Sequence, residues 1–324
     1  MLFAYTLNAN ALERTTVDNG AIPDGAVWVD MVTPTSDEEK IVEKKFGIGV
    51  PTREEMEEIE PSSRLYSENG SRYMTASLIY DADTDQPKLT VVTFILSNAK
   101  LITVRYDEPR PFARVASKLG KQCPATITGE AVLIELLDAI IDRAADVLER
   151  VGAEVDAVSR RIFEGRAAKD SPSQRYQISL RAVGRKADLT SKMRECLGSI
   201  GRLVLFFIND AQLTKLPKEQ YSQIRGMSRD VTSLTDYAAF LINKLQFLLD
   251  AIVGMVSLEQ NNIIKIFSVM AVALMPPTLI ASIYGMNFKH MPELDWTLGY
   301  PLAIIIMIAA AVAPFLYFKW RKWL

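Results

Sequence analysis

Three groups of residues in this chain carry oxygen atoms or charge at spacings that chemistry can use. The first is a stripe stepping by three or four: Asp250, Val253, Ser257, Gln260, Ile264, Phe267, Ala271, Met275, Thr278 and Ser282. At helical spacing these residues share one face, which begins with a carboxylate, turns apolar and ends in small hydroxyls. Two helices cannot surround a hydrated path, but the same face repeated around a symmetric ring of chains can. In such a ring Asp250 becomes a circle of carboxylates that gathers cations. The second group is Gly285-Met286-Asn287. Glycine adopts a left-handed helix end without steric cost, so Gly285 is expected to stop the helix that way. Asn287 then offers a neutral carboxamide oxygen, suited to a divalent ion that keeps its water shell, as Mg²⁺ does; a tight carboxylate cage would trap the ion. The third group is acidic: Glu54, Glu55, Glu57, Glu58 and Glu60 in one run, and Asp81, Asp83 and Asp85 in one turn. The glutamates read as a solvated helix face with acids near the positive end of the dipole. The aspartates read as turn residues, although three oxygens that close also suit a shared divalent ion.

The remaining composition speaks against an enzyme. The single histidine, His290, excludes imidazole clusters, and with them most metallohydrolases and Ser-His-Asp chemistry; no nucleotide-binding loop is visible either. Cys123 and Cys196 are too few for a disulfide framework or a zinc site and read as reduced thiols. A formal net charge of −2 provides no basic patch for nucleic acid.

The elements that position these residues follow from where charge is missing. Residues 261–324 hold only five of the 37 Lys+Arg and two of the 39 Asp+Glu. Two charge-free runs, Ile266–Phe288 and Trp296–Phe318, each have 23 residues. As helices they are about 34 Å long, enough for a hydrocarbon core of about 30 Å, so a lipid bilayer is the expected surrounding. The tail Lys319-Trp320-Arg321-Lys322-Trp323-Leu324 combines bases with interfacial tryptophans, which places the C-terminus in the cytoplasm. Met1–Thr6 has neither the basic nor the apolar region of a signal peptide, so the N-terminus is expected there too. The outer loop, 289–295, then carries Lys289, His290, Glu293 and Asp295. Pro276-Pro277 lies inside the first span and is expected to bend it, freeing carbonyls that must face protein or water. The second span is rich in Ile and Ala and reads as lipid-facing.

Residues 1–127 read as a cytosolic α/β domain. Strands are expected over Ala26–Val32, Arg72–Tyr80, Thr90–Ser97 and Leu101–Tyr106, with a turn-rich break at Asp81–Pro87 and a tight connection at Asn98-Ala99. Helices are expected over Ser36–Phe46, with Ser36 as N-cap and Glu39 closing a capping box, and over Thr52–Ile59. A helical region, 128–217, holds one long helix over Thr128–Glu164 and others through Ser171–Asp210. A stalk, 218–265, meets no convincing stop signal before Pro276 and so runs into the first span, 266–288, as a helix of roughly 58 to 67 residues, on the order of 90 to 100 Å. The loop 289–295, the second span 296–318 and the basic tail 319–324 complete an α+β membrane protein.

Several segments together resemble the CorA family of divalent-cation transporters: Pro51-Thr52-Arg53-Glu54, Glu58-Ile59-Glu60, Glu259-Gln260-Asn261, Ile263–Val269, Pro276-Pro277-Thr278, Tyr284–Asn287, Met291-Pro292-Glu293-Leu294 and the basic tail. The resemblance implies a funnel-shaped homopentamer in a bacterial inner membrane, with a pore lined by the first span and gated Mg²⁺ uptake under feedback from intracellular divalent cation. By position, Asn287 resembles the family's selectivity residue at the pore mouth, with Gly285 and Met286 shaping its loop. Thr278 and Met275 resemble pore-lining positions, and Asp250 resembles the acidic ring at the cytoplasmic end. Asp81 and Asp230 are the candidates for a regulatory metal site between subunits. One departure is Lys289, which stands where the family usually has an acid. Asp295 occupies a place that is often basic, so Lys289, Glu293 and Asp295 still sum to −1. His290 reads as an exposed loop residue. Two alternatives stay open: the same architecture carrying Zn²⁺, Co²⁺ or Ni²⁺, and a membrane-tethered ion sensor that does not conduct.

Overall fold

The computed structural model describes residues 1–8, 10–17, 21–84, 86–124, 126–163, 172–209, 216–287 and 291–321. Apolar and β-branched runs in the first third of the chain form one sheet. Its strands are β1 (Leu2–Asn8), β2 (Ala11–Thr16), β3 (Ala26–Val32), β4 (Leu65–Glu68), β5 (Ser71–Tyr80), β6 (Lys88–Ser97) and β7 (Lys100–Arg105), in the order β2-β1-β3-β7-β6-β5-β4. Only β3 and β7 are parallel, with Trp28 opposite Leu101 and Val32 opposite Arg105. The four expected strands are present with ends within two residues, whereas β1, β2 and β4 were not anticipated. β5 and β6 are buried almost throughout, and their hydroxyls satisfy one another across the ladder: Ser71 with Ser97 at 2.9 Å and Thr75 with Thr93 at 2.8 Å.

The β6–β7 connection is the two-residue turn Asn98-Ala99, with φ of 48° and 60°. This left-handed pair matches the twist of a hairpin, but alanine has a Cβ that opposes it. Ala99→Gly is therefore expected to stabilise the chain by about 1 kcal/mol, read as a rise in the denaturant midpoint at unchanged slope; a fall would contradict this account of the turn.

At the sheet's centre the Trp28 indole N–H donates to Thr103 Oγ1 at 3.0 Å, and Thr103 Oγ1 donates to Asp30 at 2.7 Å. Arg105 donates to the same carboxylate through Nε at 3.1 Å and Nη2 at 2.9 Å, and its guanidinium lies 4.8 Å from the Phe112 ring centre. Asp30 is 1% exposed and Arg105 8%. Tyr5 stacks on Trp28 with 4.1 Å between ring centres, and burial, followed by the nearby Asp30 charge, pushes its hydroxyl up to about 12.

The helices are α1 (Ser36–Phe46), α2 (Arg53–Glu57), α3 (Pro61–Arg64), α4 (Arg110–Leu119), α5 (Gly129–Phe163), α6 (Pro172–Asn209), α7 (Lys218–Tyr284) and α8 (Gly299–Trp320). α1 has the expected span, but its capping box is one residue earlier. Thr35 is the extended N-cap, its hydroxyl accepts from the Glu38 amide, and the Glu38 carboxylate accepts from the Thr35 amide. Adjacent Thr35 and Ser36 are both competent caps, and the backbone leaves the helix at Thr35. α2 is shorter than expected: Thr52 and Glu55 form its capping box, and Glu58 is already extended, three residues before Pro61. Its acids are solvated, as expected, while Met56 alone is buried.

Compactness divides the chain into one unit of residues 1–167 and 178–248 and a second of 168–177 and 249–324, so α6 and α7 contribute to both. In the first unit α5 begins against the β6–β7 turn, where the Gly129 amide donates to Ala99 O at 2.7 Å; a Cβ at Gly129 would overlap the Lys100–Leu101 backbone. The first part of α7 buries Ile224, Met227, Val231, Ala238, Leu241, Leu245 and Leu248, a heptad spacing in steps of three, four and seven. Cys123 and Cys196 are buried free thiols, and burial pushes Cys196 up to about 12, so both are inert as nucleophiles.

Candidate functional site

The heptad burial of α7 ends at Ile252. Beyond it only Val269 is buried, although the sequence becomes more apolar. The most apolar stretches of α7 and α8 have mean hydropathies of 2.0 and 2.3 and are 6% and 0% buried. A core helix of a soluble protein would be covered; apolar residues left open at this length suit a lipid environment. Every residue of the stripe from Asp250 to Ser282 is exposed on the single chain.

α7 stays helical through Pro276 and Pro277. Neither has an N–H, so the carbonyls four residues earlier, on Val272 and Ala273, lose their usual donors. The Thr278 hydroxyl donates to Leu274 O, and the Ser257 hydroxyl donates to Val253 O at 3.0 Å. With their protons engaged by the helix's own backbone, these hydroxyls present oxygen lone pairs outward, the polarity that suits a cation or its water.

Gly285 departs from expectation. It does not adopt the left-handed conformation, which among the described glycines belongs to Gly47 and Gly70. Its amide continues the helical bonding to Ala281 O at 2.9 Å, and the Met286 amide then turns back to Ile283 O at 3.2 Å. The glycine instead leaves room: a Cβ there would lie 3.1 Å from Ala281 O. Asn287 follows, exposed, at the carbonyl end of α7, where the helix dipole is negative. Across the loop a 3-10 turn spans Pro292–Asp295. It contains Glu293 and ends with the exposed Asp295. Lys289 and His290 lie outside the described residues. Ala281 and Gly285 of α7 face Gly299 and Ala303 of α8 across a groove of about 380 Å³, which Tyr284, Trp296 and Tyr300 also line. Small residues at such positions let two helices approach closely.

In the first unit, Asp81 directly follows β5 with φ of 53°, exposed, and its carbonyl accepts from the Thr84 amide and hydroxyl. Asp230 is exposed on α7. Within one chain, no hydrogen bond or ion pair among the described residues joins the two. The alternative of a metal held by Asp81, Asp83 and Asp85 loses its middle ligand, and Asp85 lies outside the described residues. Asp83 is bound by arginines: Arg143 Nη2 reaches both its oxygens at 2.8 Å, and Arg150 and Arg110 also pair with it. No group of three acidic, histidine or cysteine side chains placed for a metal occurs among the described residues. Arg150 above all, then Arg143, holds the Asp83 carboxyl at about 2, against an ordinary 3.8. A lowered folded-state value stabilises the fold above pH 3.8 and loses that contribution as pH falls through about 2. The thermal midpoint of the chain is therefore expected to drop between pH 4 and pH 2, and Asp83→Asn should lower it at pH 7 while removing part of that acid dependence.

The profile of the family described as CorA-like Mg2+ transporter protein matches residues 23–321. Proteins named magnesium transport protein CorA from Salmonella typhimurium and Escherichia coli are each 36% identical to this chain over 324 residues, all of both sequences. The chain belongs to the CorA family. Its fold agrees with the complete CorA magnesium transporter structure from Methanocaldococcus jannaschii at TM-score 0.76, with 16% identity, 98% of this chain and 97% of that one covered. The full-length CmaX structure gives TM-score 0.73 at 14% identity, covering 99% and 97%.

In this CorA-family chain the pore-stripe candidates and the Gly285–Asn287 segment fall in one unit, and Asp81 and Asp230 in the other. The arginines around Asp83 were not anticipated. Arg143 and Arg150 are 60 and 67 residues away in sequence, and no local pattern marks them.

Proposed function

We propose that this chain forms a gated homopentameric pathway for Mg²⁺ uptake across a bacterial inner membrane, with both termini in the cytoplasm. The observation that carries this reading is the exposed one-face stripe of α7 from Asp250 to Ser282, followed by the exposed Asn287, in a chain whose full-length relatives are named magnesium transport proteins. On one chain that stripe is exposed, and a closed ring of copies gives it a lumen. Asn287 oxygens and the negative end of α7 attract the hydrated ion; holding it through its waters avoids the slow stripping of the Mg²⁺ shell. Thr278 and Ser282 accept hydrogen bonds from that shell. Ile264, Phe267, Ala271 and Met275 form an apolar constriction of the kind that closes by dewetting. Asp250 draws the ion out at the cytoplasmic end. The membrane potential supplies about 2.3 kcal/mol per charge per 100 mV, twice that for a divalent ion. Divalent cation bound between subunits by Asp81 and Asp230 supplies the feedback.

Flux into liposomes containing the purified chain tests this reading, with Mg²⁺, Co²⁺, Ni²⁺ and Zn²⁺ compared and Mg²⁺ added or omitted on the domain side. Mg²⁺ influx that falls with domain-side Mg²⁺ is the expected result. Zn²⁺ influx without Mg²⁺ influx overturns the choice of ion, and silence for every ion in oriented protein leaves a sensor.

A further inference from the structure

We infer that the hollow between the sheet and the start of α4 binds a small uncharged aromatic carbonyl compound. The hollow has a volume of about 430 Å³ and lies within the first unit. Phe3 and Tyr5 of β1 and Phe112 of α4 supply aromatic walls, and Arg14, Asp30 and Arg105 bring charge to it. Two of these side chains keep polar atoms unused although they are almost fully buried. Tyr5 is 3% exposed, and its hydroxyl makes no hydrogen bond among the described residues. That hydroxyl lies within electrostatic reach of Asp30, Arg14 and Arg105, which all line the hollow, so it opens into the same space. The second is Arg105, whose guanidinium has five N–H donors. Its Nε and one Nη2 hydrogen go to Asp30, and one Nη1 hydrogen goes to Asp107 O at 2.8 Å. One hydrogen on each Nη is left without an acceptor among the described residues. Buried polar groups are overwhelmingly paired, so donors left over at one hollow point to an occupant that accepts.

The chemistry of the two groups selects that occupant. Both donate: burial raises the Tyr5 hydroxyl to about 12, so it keeps its proton at neutral pH. Asp30 already accepts from Thr103 and Arg105 and cancels the Arg105 charge. A carboxylate placed beside Arg105 is therefore repelled by Asp30 and gains little from the arginine. An ammonium meets donors instead of acceptors, with Arg14 opposing its charge. A carbonyl oxygen offers two lone pairs without a charge, which fits. The rest of the wall is apolar, with Val32, Pro109 and Ala113 beside the phenylalanine rings. Such a wall takes a flat ring as the body of the ligand.

Saturation-transfer NMR of the full chain in detergent, with benzamide as the probe and empty micelles subtracted, tests the assignment. The expected result is saturable binding of benzamide, with benzoate and benzylamine both weaker. Tyr5→Phe should weaken benzamide about threefold to tenfold, the range of one neutral hydrogen bond. The same change should not lower the thermal midpoint of the free chain, because the hydroxyl it removes has no partner to lose. Ala113→Trp covers the hollow from an exposed position on α4 and should abolish saturation. Lys44→Trp places the same ring on the exposed face of α1 and should leave the affinity unchanged. Absence of saturable binding, tighter binding of either charged probe, or equal loss in the two tryptophan variants overturns the proposal. So does unchanged affinity or a lowered midpoint in Tyr5→Phe.

Discussion

Asn287→Ala is expected to lower Mg²⁺ influx into liposomes at least about tenfold, the rate equivalent of about 1.4 kcal/mol of lost interaction, without lowering the amount of assembled protein. The argument rests on position and chemistry together. Asn287 is exposed beyond the last helical bond of α7, where Gly285 still donates to Ala281 O, so its side chain stands at the negative end of the helix. Alanine removes the only side-chain oxygen of Gly285-Met286-Asn287 and keeps the backbone. Asn287→Asp is the informative companion. A carboxylate raises attraction but holds the ion longer, so binding should strengthen while flux falls. Full Mg²⁺ flux in Asn287→Ala would remove the carboxamide from the mechanism and shift attention to the Val272 and Ala273 carbonyls.

The second large effect concerns the fold that supports the candidate regulatory site. Asp30→Ala should destabilise the first unit by about 3–5 kcal/mol, the usual consequence of leaving a buried charge alone. Arg105 would keep its place between the sheet and Phe112 with the Asp107 carbonyl as its remaining acceptor among the described residues. That is a sizeable part of the 5–15 kcal/mol typical of a whole domain. Denaturant titration followed by Trp28 fluorescence reads it directly, because Trp28 belongs to the same network through Thr103. The paired change Asp30→Leu and Arg105→Met should recover much of the loss, since two charges no longer need to be kept from water. A loss below about 1 kcal/mol in Asp30→Ala would mean that water reaches Arg105.

What was readable beforehand divides along physical lines. α7 was legible because its signals are local: no convincing stop signal before Pro276, since Gly226 and Gly254 stand alone within the run, and then an uncharged stretch. The prolines did not end it, since losing two donors still leaves the flanking turns bonded. α4 had a readable pattern in Phe112, Val115 and Leu119 and a proline, Pro111, in its first turn, but Pro109 offers no side-chain cap. β1 and β2 are short and partly polar, and only pairing with β3 reveals β1 as an inner strand. The Asp30–Arg105 pair joins residues 75 apart in sequence, which no window detects. In the candidate site, the helix that carries the stripe was legible from spacing. The conformation of Gly285 was not, because a glycine permits a left-handed end without requiring one.

The lone parallel pairing, β3 with β7, also bears on the order of synthesis. β3 cannot finish its hydrogen bonding until Arg105 has been made, because β4, β5 and β6 are inserted between the two strands. From Arg105 to Ile266, where the first apolar span begins, the ribosome must still add about 160 residues, which takes roughly 8 to 30 s at 5–20 residues per second. Hairpins form in microseconds, and sheets of this contact pattern in milliseconds to seconds. The sheet therefore has time to close before the first apolar span is made.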